Sequence, residues 1–127
     1  MTGTRALVTL SVIIVATLLN GCGGDRPGQD AARAACSAYA DTLRHQVATT
    51  VPQTDLIRAR ARSAADSAAQ ADTAWRPLRR DILDFFARQH ALALNAPASD
   101  LAGYFAADRR VQSDCRSAGR DIGPLRP

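Results

Sequence analysis

A chain of 127 residues has room for one small core, and sixteen basic against twelve acidic side chains is too mild a balance for a dedicated nucleic-acid binder. All the basic residues are Arg and all the acidic ones Asp, a bias that GC-rich codons produce without functional pressure. Alanine supplies about a fifth of the residues while Gly and Pro cluster in a few places, so an all-α body is expected.

In chain order, the first segment is Met1 to Arg5, short and singly charged, followed by the fourteen mostly apolar residues Ala6 to Leu19. That length suits the apolar region of a secretory leader and falls short of the roughly 20 residues a membrane-spanning helix needs. Leu19-Asn20-Gly21-Cys22 follows, and it resembles the lipobox of bacterial lipoproteins. The resemblance covers residues 1–22 only. It implies that residues 1–21 are a signal peptide, that Cys22 becomes a diacylglycerol-modified, fatty-acylated N-terminus, and that the mature chain sits on the extracytoplasmic face of a cell membrane. Removing Arg5 with the leader leaves fifteen Arg against twelve Asp. Two lipid chains are enough for stable residence at a membrane.

The chain holds three cysteines, and with Cys22 consumed by lipid, Cys36 and Cys115 remain as a pair in an oxidising compartment. A disulfide between them is expected. Residues 22–29, with Gly23 to Gln29 reading GGDRPGQ, look like a flexible tether with a reach of about 15 Å. A bundle domain over 30–119 and an irregular tail over 120–127 complete the division.

Within the bundle, the first helix is predicted from Asp30, as N-cap, to Thr49, with Ala32, Cys36, Tyr39, Ala40, Leu43 and Val47 on one face. After the break around Pro52, a second opens at Thr54 or Asp55 with an inward stripe of Ile57, Ala61, Ala64, Ala68, Ala71 and Trp75. A seam of alanine favours close helix approach over a roomy pocket. Pro77 predicts a restart, and the third helix runs to Leu92 with Leu78, Ile82, Phe85, Phe86 and Leu92 facing inward. The fourth spans Ser99 to Ala118, capped by Ser99 and stopped at Gly119, its apolar face formed by Leu101, Tyr104, Phe105, Val111 and Cys115.

Cys36 near the start of the first helix and Cys115 near the end of the last can meet if those helices are antiparallel. This selects an up-down-up-down four-helix bundle closed by one disulfide. The alternative is three helices with a long central one kinked at Pro77.

Chemistry-bearing patterns are few. His45 and His90 lack metal-ligand spacing, no HExxH or CxxC run occurs, and no cofactor or metal site is expected. His45 is placed to pair with Asp41, and His90 near a helix end is suited to the helix dipole. Asp81 and Asp84, with Arg80 and Arg88 at helical spacing from Asp84, read as a charged solvent face, as does Asp72 with Arg76. Arginines cluster at 58, 60 and 62, at 76, 79 and 80, and at 109 and 110. Near a membrane such groups can meet anionic lipid headgroups.

Asp108 is the anomaly, because it stands in the apolar stripe of the fourth helix between Tyr104 and Phe105 on one side and Val111 and Gln112 on the other. Buried there it needs an Arg or a Tyr hydroxyl, and with Tyr104 it marks a possible ligand or buried polar site. The sequence thus points to a lipid-anchored envelope lipoprotein with a non-enzymatic binding or scaffolding role, whose partner is an envelope protein or anionic lipid. A carrier of apolar ligands, with a cavity lined by Phe85, Phe86, Tyr104 and Phe105, is one alternative. An enzyme or enzyme accessory using a carboxylate such as Asp108 is the other.

Overall fold

The computed structural model describes residues 24–45, 51–94, 97 and 100–123. The predicted leader, Cys22, Val47 and the Ser99 cap lie outside these residues. Four helices follow one another: α1 (Gln29–His45), α2 (Val51–Ala71), α3 (Arg76–Ala93) and α4 (Asp100–Ser117), with a 3₁₀ turn at Thr73–Trp75 between α2 and α3.

Cross-ties give the direction of each helix. Gln29 Nε2 and Arg33 Nε at the start of α1 donate to the Ala118 carbonyl beyond the end of α4, at 3.2 and 3.0 Å. Further along, Cys36 is disulfide-bonded to Cys115 with their Cα atoms 5.7 Å apart, and Tyr39 reaches Asp108. The outer helices are therefore antiparallel. Asp66 of α2 meets Arg79 of α3, and Arg58 bonds Gln89 at 2.8 Å, so α2 and α3 are antiparallel too. Asp84 of α3 meets Arg110 of α4 at 2.7 Å. The result is the up-down-up-down bundle closed by a disulfide, which in the chain-entropy view stabilises the fold by about 4 kcal/mol for a loop of this size.

The long central helix of the alternative does not form. α2 ends at Ala71, and Asp72 adopts an extended conformation with its carboxylate accepting the Ala74 N–H at 2.8 Å, which stabilises the 3₁₀ turn. Pro77 then falls in the first turn of α3, where its missing N–H breaks no helical bond. The break comes five residues before the proline, because a local carboxylate cap ends α2 sooner. Trp75, expected on the stripe of α2, is buried through the 3₁₀ turn instead, and its indole N–H donates to the Pro27 carbonyl at 2.8 Å.

That bond also shortens the tether. Arg26 lies over the Trp75 ring at 5.8 Å and 3.7 Å from Asp72, while Asp25 is 3.3 Å from Arg33. The segment from Asp25 to Gly28 is thus fastened to the bundle. Gly28 has a φ of +75°, and a Cβ there would stand 2.9 Å from the Ala68 carbonyl, so glycine permits both the turn and the close approach of α1 to the alanines of α2. Asp30 lies inside the first turn of α1 rather than capping it. At the other terminus Gly119, with φ +80°, ends α4 as expected, with Gly119 N–H donating to Arg116 and Arg120 N–H to Cys115 at 2.9 and 2.8 Å.

The core joins Cys36 and Tyr39 of α1 to Ala61, Ala65 and Ala68 of α2, Leu78, Ile82, Phe85 and Phe86 of α3, and Ala107, Val111 and Cys115 of α4. Three expectations shift. Ala71 is exposed. α2 begins at Val51, before the expected Thr54 or Asp55. Leu101 and Phe105, predicted inward, are 44% and 43% exposed. Asp108 is level with Tyr39, so Leu101, seven residues earlier in antiparallel α4, falls level with position 46, past the described end of α1.

Candidate functional site

Among the described residues, two carboxylate-centred groups interrupt the apolar interior. The first is centred on Asp108, which is 3% exposed between α4 and α1. Tyr39, fully buried, donates its hydroxyl to Oδ1 of Asp108 at 2.5 Å, and Gln112, one turn along α4, donates its side-chain amide to Oδ2. Burial first, then the hydrogen bond to Asp108 and its charge, push the Tyr39 phenol well above its ordinary value, so it keeps the proton it donates. Both carboxylate oxygens are satisfied by neutral donors, which is the condition for holding the group inside a core. The expected Tyr hydroxyl is present, but it comes from Tyr39 across the bundle. Tyr104, grouped with Asp108 by sequence, packs in a tilted arrangement on Phe85 with ring centroids 4.8 Å apart and edge-on against Phe105 at 5.4 Å.

The second group lies between α3 and α4, and the charge spacing of the sequence places two of its members, Asp81 and Asp84, on a solvent face. Asp81 is buried, 4% exposed. Arg80 grips it in bidentate fashion, Nε to Oδ1 at 2.9 Å and Nη2 to Oδ2 at 3.2 Å, and Arg110 Nε stands 3.5 Å away. Asp84 receives Arg88 at 2.9 Å, as helical spacing predicted, and Arg110 at 2.7 Å, but not the expected Arg80.

Asp114 completes the group. Its Oδ2 is buried and receives no hydrogen bond. Burial, then the charge of Asp81 and a hydrogen bond to it, push Asp114 up to about 6 against the opposing charges of Arg80 and Arg110. Burial alone would raise Asp81 as well, but the hydrogen bond and charge of Arg80, the hydrogen bond from Asp114 and the charge of Arg110 outweigh it and hold Asp81 below the usual carboxylate range. The opposite shifts favour a proton on Asp114 over one on Asp81. A signal for both was present in the sequence: Asp81 is three residues after Leu78 and four before Phe85, and Asp114 is three after Val111, all positions on inward stripes.

The remaining candidates are scattered. His45 is exposed, and its Nδ1 meets the Asp41 carbonyl at 2.8 Å, while the Asp41 carboxylate pairs with Arg44 at 3.1 Å rather than with the histidine. His90 is exposed in the last turn of α3. Asp72 pairs with Arg26, not with Arg76. Arg58 is engaged by Asp55 at 3.3 Å as well as by Gln89, and Arg62 lies over the Phe86 ring at 5.5 Å. Phe85 contacts Tyr39, Phe86 and Tyr104 at centroid distances of 4.9, 5.9 and 4.8 Å, so these rings pack on one another.

Among the described residues no three His, Cys, Asp or Glu side chains are placed to hold a metal ion, and no helix is long and apolar enough to cross a membrane. Cys22 lies outside the described residues. Comparison with protein-family models, curated proteins and solved structures finds no match to this chain.

Proposed function

We propose that this protein is an extracytoplasmic lipoprotein, held at the cell membrane through a lipidated Cys22, whose bundle serves a non-enzymatic binding or scaffolding role in the cell envelope. The observation that carries the reading is the Cys36–Cys115 disulfide. It takes both body cysteines, leaving Cys22 as the single thiol at the junction where a lipobox-like sequence ends, and bonds of this kind persist in oxidising, extracytoplasmic compartments.

The interior supports a binding body over the alternatives. A carrier needs a continuous apolar cavity, and the rings of Phe85, Phe86 and Tyr104 pack on one another instead. A carboxylate enzyme needs Asp108 open to substrate, and both its oxygens are engaged in the core by Tyr39 and Gln112.

Metabolic labelling with a fatty acid tests the anchor. The wild-type chain should incorporate label and run at the processed size, whereas Cys22→Ser should lose the label and accumulate as precursor. Continued labelling of Cys22→Ser would sink the proposal.

A further inference from the structure

Resting on the anchored reading above, we infer that the end of the bundle from which the N-terminal segment leaves faces the membrane, and that a groove there lined by Arg76, Arg79 and Arg80 receives the phosphate of an anionic phospholipid headgroup. The first support is reach. Because Asp25 and Pro27 are fastened to Arg33 and Trp75, only three residue steps separate the fixed chain from Cys22, at most about 11 Å of extended backbone. That is little more than the thickness of one headgroup layer, roughly 5–8 Å. The end of α2, the 3₁₀ turn and the start of α3 are therefore held beside the lipid surface.

The second support is the chemistry of that end. Arg76, Arg79 and Arg80 line an open groove of about 720 Å³ between α2 and α3, together with Gln70, Thr73 and Asp66. Asp66 engages Arg79, and Arg80 is turned to Asp81, but Arg76 is exposed and makes no ion pair among the described residues. Two of the three guanidinium groups already meet a carboxylate, Asp66 and Asp81, so the groove keeps one net positive charge on Arg76; flanked by a neutral amide and a hydroxyl, it suits a phosphodiester, whose oxygens accept the paired N–H donors of arginine. The groove at the opposite end, lined by His45, Gln53, Leu56, Ile57 and Arg60, is smaller, about 270 Å³, and has no comparable cluster of arginines.

Trp75, the single tryptophan, immediately precedes Arg76 and reports on this end. The full-length protein purified from membranes would be reconstituted in vesicles of phosphatidylcholine alone or with phosphatidylglycerol, and energy transfer from Trp75 to dansyl-labelled headgroups measured. Transfer should rise with phosphatidylglycerol. Arg76→Ala should need about fivefold more of that lipid for the same rise, and exposed Arg109→Ala should behave as wild type. Equal transfer in both vesicle types, or an unaltered Arg76→Ala, would overturn the inference. A Trp75 response to inorganic phosphate on neutral vesicles as large as that to phosphatidylglycerol would overturn the lipid assignment in favour of a soluble anion. Fatty-acid labelling of the same preparation separates the two claims: labelled protein indifferent to phosphatidylglycerol removes the groove and leaves the anchor. Unlabelled protein drawn to phosphatidylglycerol through Arg76 supports the groove and removes the anchor.

Discussion

The two ends of the bundle are built from the same helices but held by different forces. At the end where α1 begins and α4 finishes, the disulfide, the bonds of Gln29 and Arg33 to Ala118, the Trp75–Pro27 bond and the Asp66–Arg79 pair cross between helices or onto the N-terminal segment. At the other end, where α2 and α4 begin, Leu56, Leu94, Leu101 and Phe105 are 61%, 68%, 44% and 43% exposed. The more densely cross-tied end is made to stay closed, whereas the far end, crossed by the Arg58–Gln89 bond, presents apolar side chains to its surroundings. Under the proposed anchoring, that difference would separate the part that holds the chain in place from the part free to meet a partner. Local stability follows the density of such ties, so the two ends should open independently.

The largest way to break the contrast is to cut the disulfide. Cys36→Ser with Cys115→Ser should cost about 4 kcal/mol and lower the thermal midpoint by roughly 15 °C or more, with hydrogen exchange rising first in Gln29 to Cys36. A midpoint within a few degrees of wild type would mean that the remaining ties suffice. Next in size is Tyr39→Phe, which removes the hydroxyl and leaves a buried oxygen of Asp108 short of a donor, costing about 1–3 kcal/mol in denaturant unfolding. An unchanged midpoint would show that the Asp108 oxygen is satisfied without it.

The pH dependence is smaller. Asp114 is raised from 3.8 to about 6, so the folded chain binds an extra proton between those values. Its contribution to stability is fully present below about pH 4 and is lost as the pH rises through 6. Asp81 is lowered and acts in the opposite sense, its contribution disappearing as the pH falls below the usual carboxylate range. Asp114→Asn keeps a donor for Asp81 without the titration. It should stabilise by about 1 kcal/mol at pH 7.5, allowing for solvent screening of a half-buried group, and leave stability at pH 4 unchanged. Equal effects at both values would dissociate the pair from the pH response. Smallest of all, Phe105→Ser on the far end should move stability by no more than about 0.5 kcal/mol, since the side chain is already near half exposed. A loss of several kcal/mol would place it in the core.

How far the sequence could be read differs between these same regions. Helix periodicity sufficed for the four-helix order, while the Cys36–Cys115 bond also needed the lipobox-like stretch to set Cys22 apart from the other two cysteines. The stop at Asp72 did not follow, since an Asp side chain capping a 3₁₀ turn competes with an apolar pattern that continues to Trp75. Asp108 was recognisable as a buried carboxylate from its place on the stripe, yet its partner depended on the register of α1 against α4. For Asp81, charge spacing along its own helix suggested solvent, while its burial arises from the meeting of α3 and α4, where half-buried Asp114 also lies. Leu101 and Phe105 went the other way: their helical phase is that of the core, but no described part of α1 extends far enough to cover Leu101.

The central claim, that one cysteine fastens the chain outside the cell while the other two fasten the bundle, is tested most directly by mass spectrometry of unreduced protein isolated from the membrane fraction. The account predicts an N-terminal peptide beginning at Cys22 and carrying diacylglycerol, together with a cross-linked peptide joining Cys36 to Cys115. An unmodified Cys22 peptide preceded by the leader, with free thiols at Cys36 and Cys115, would contradict it.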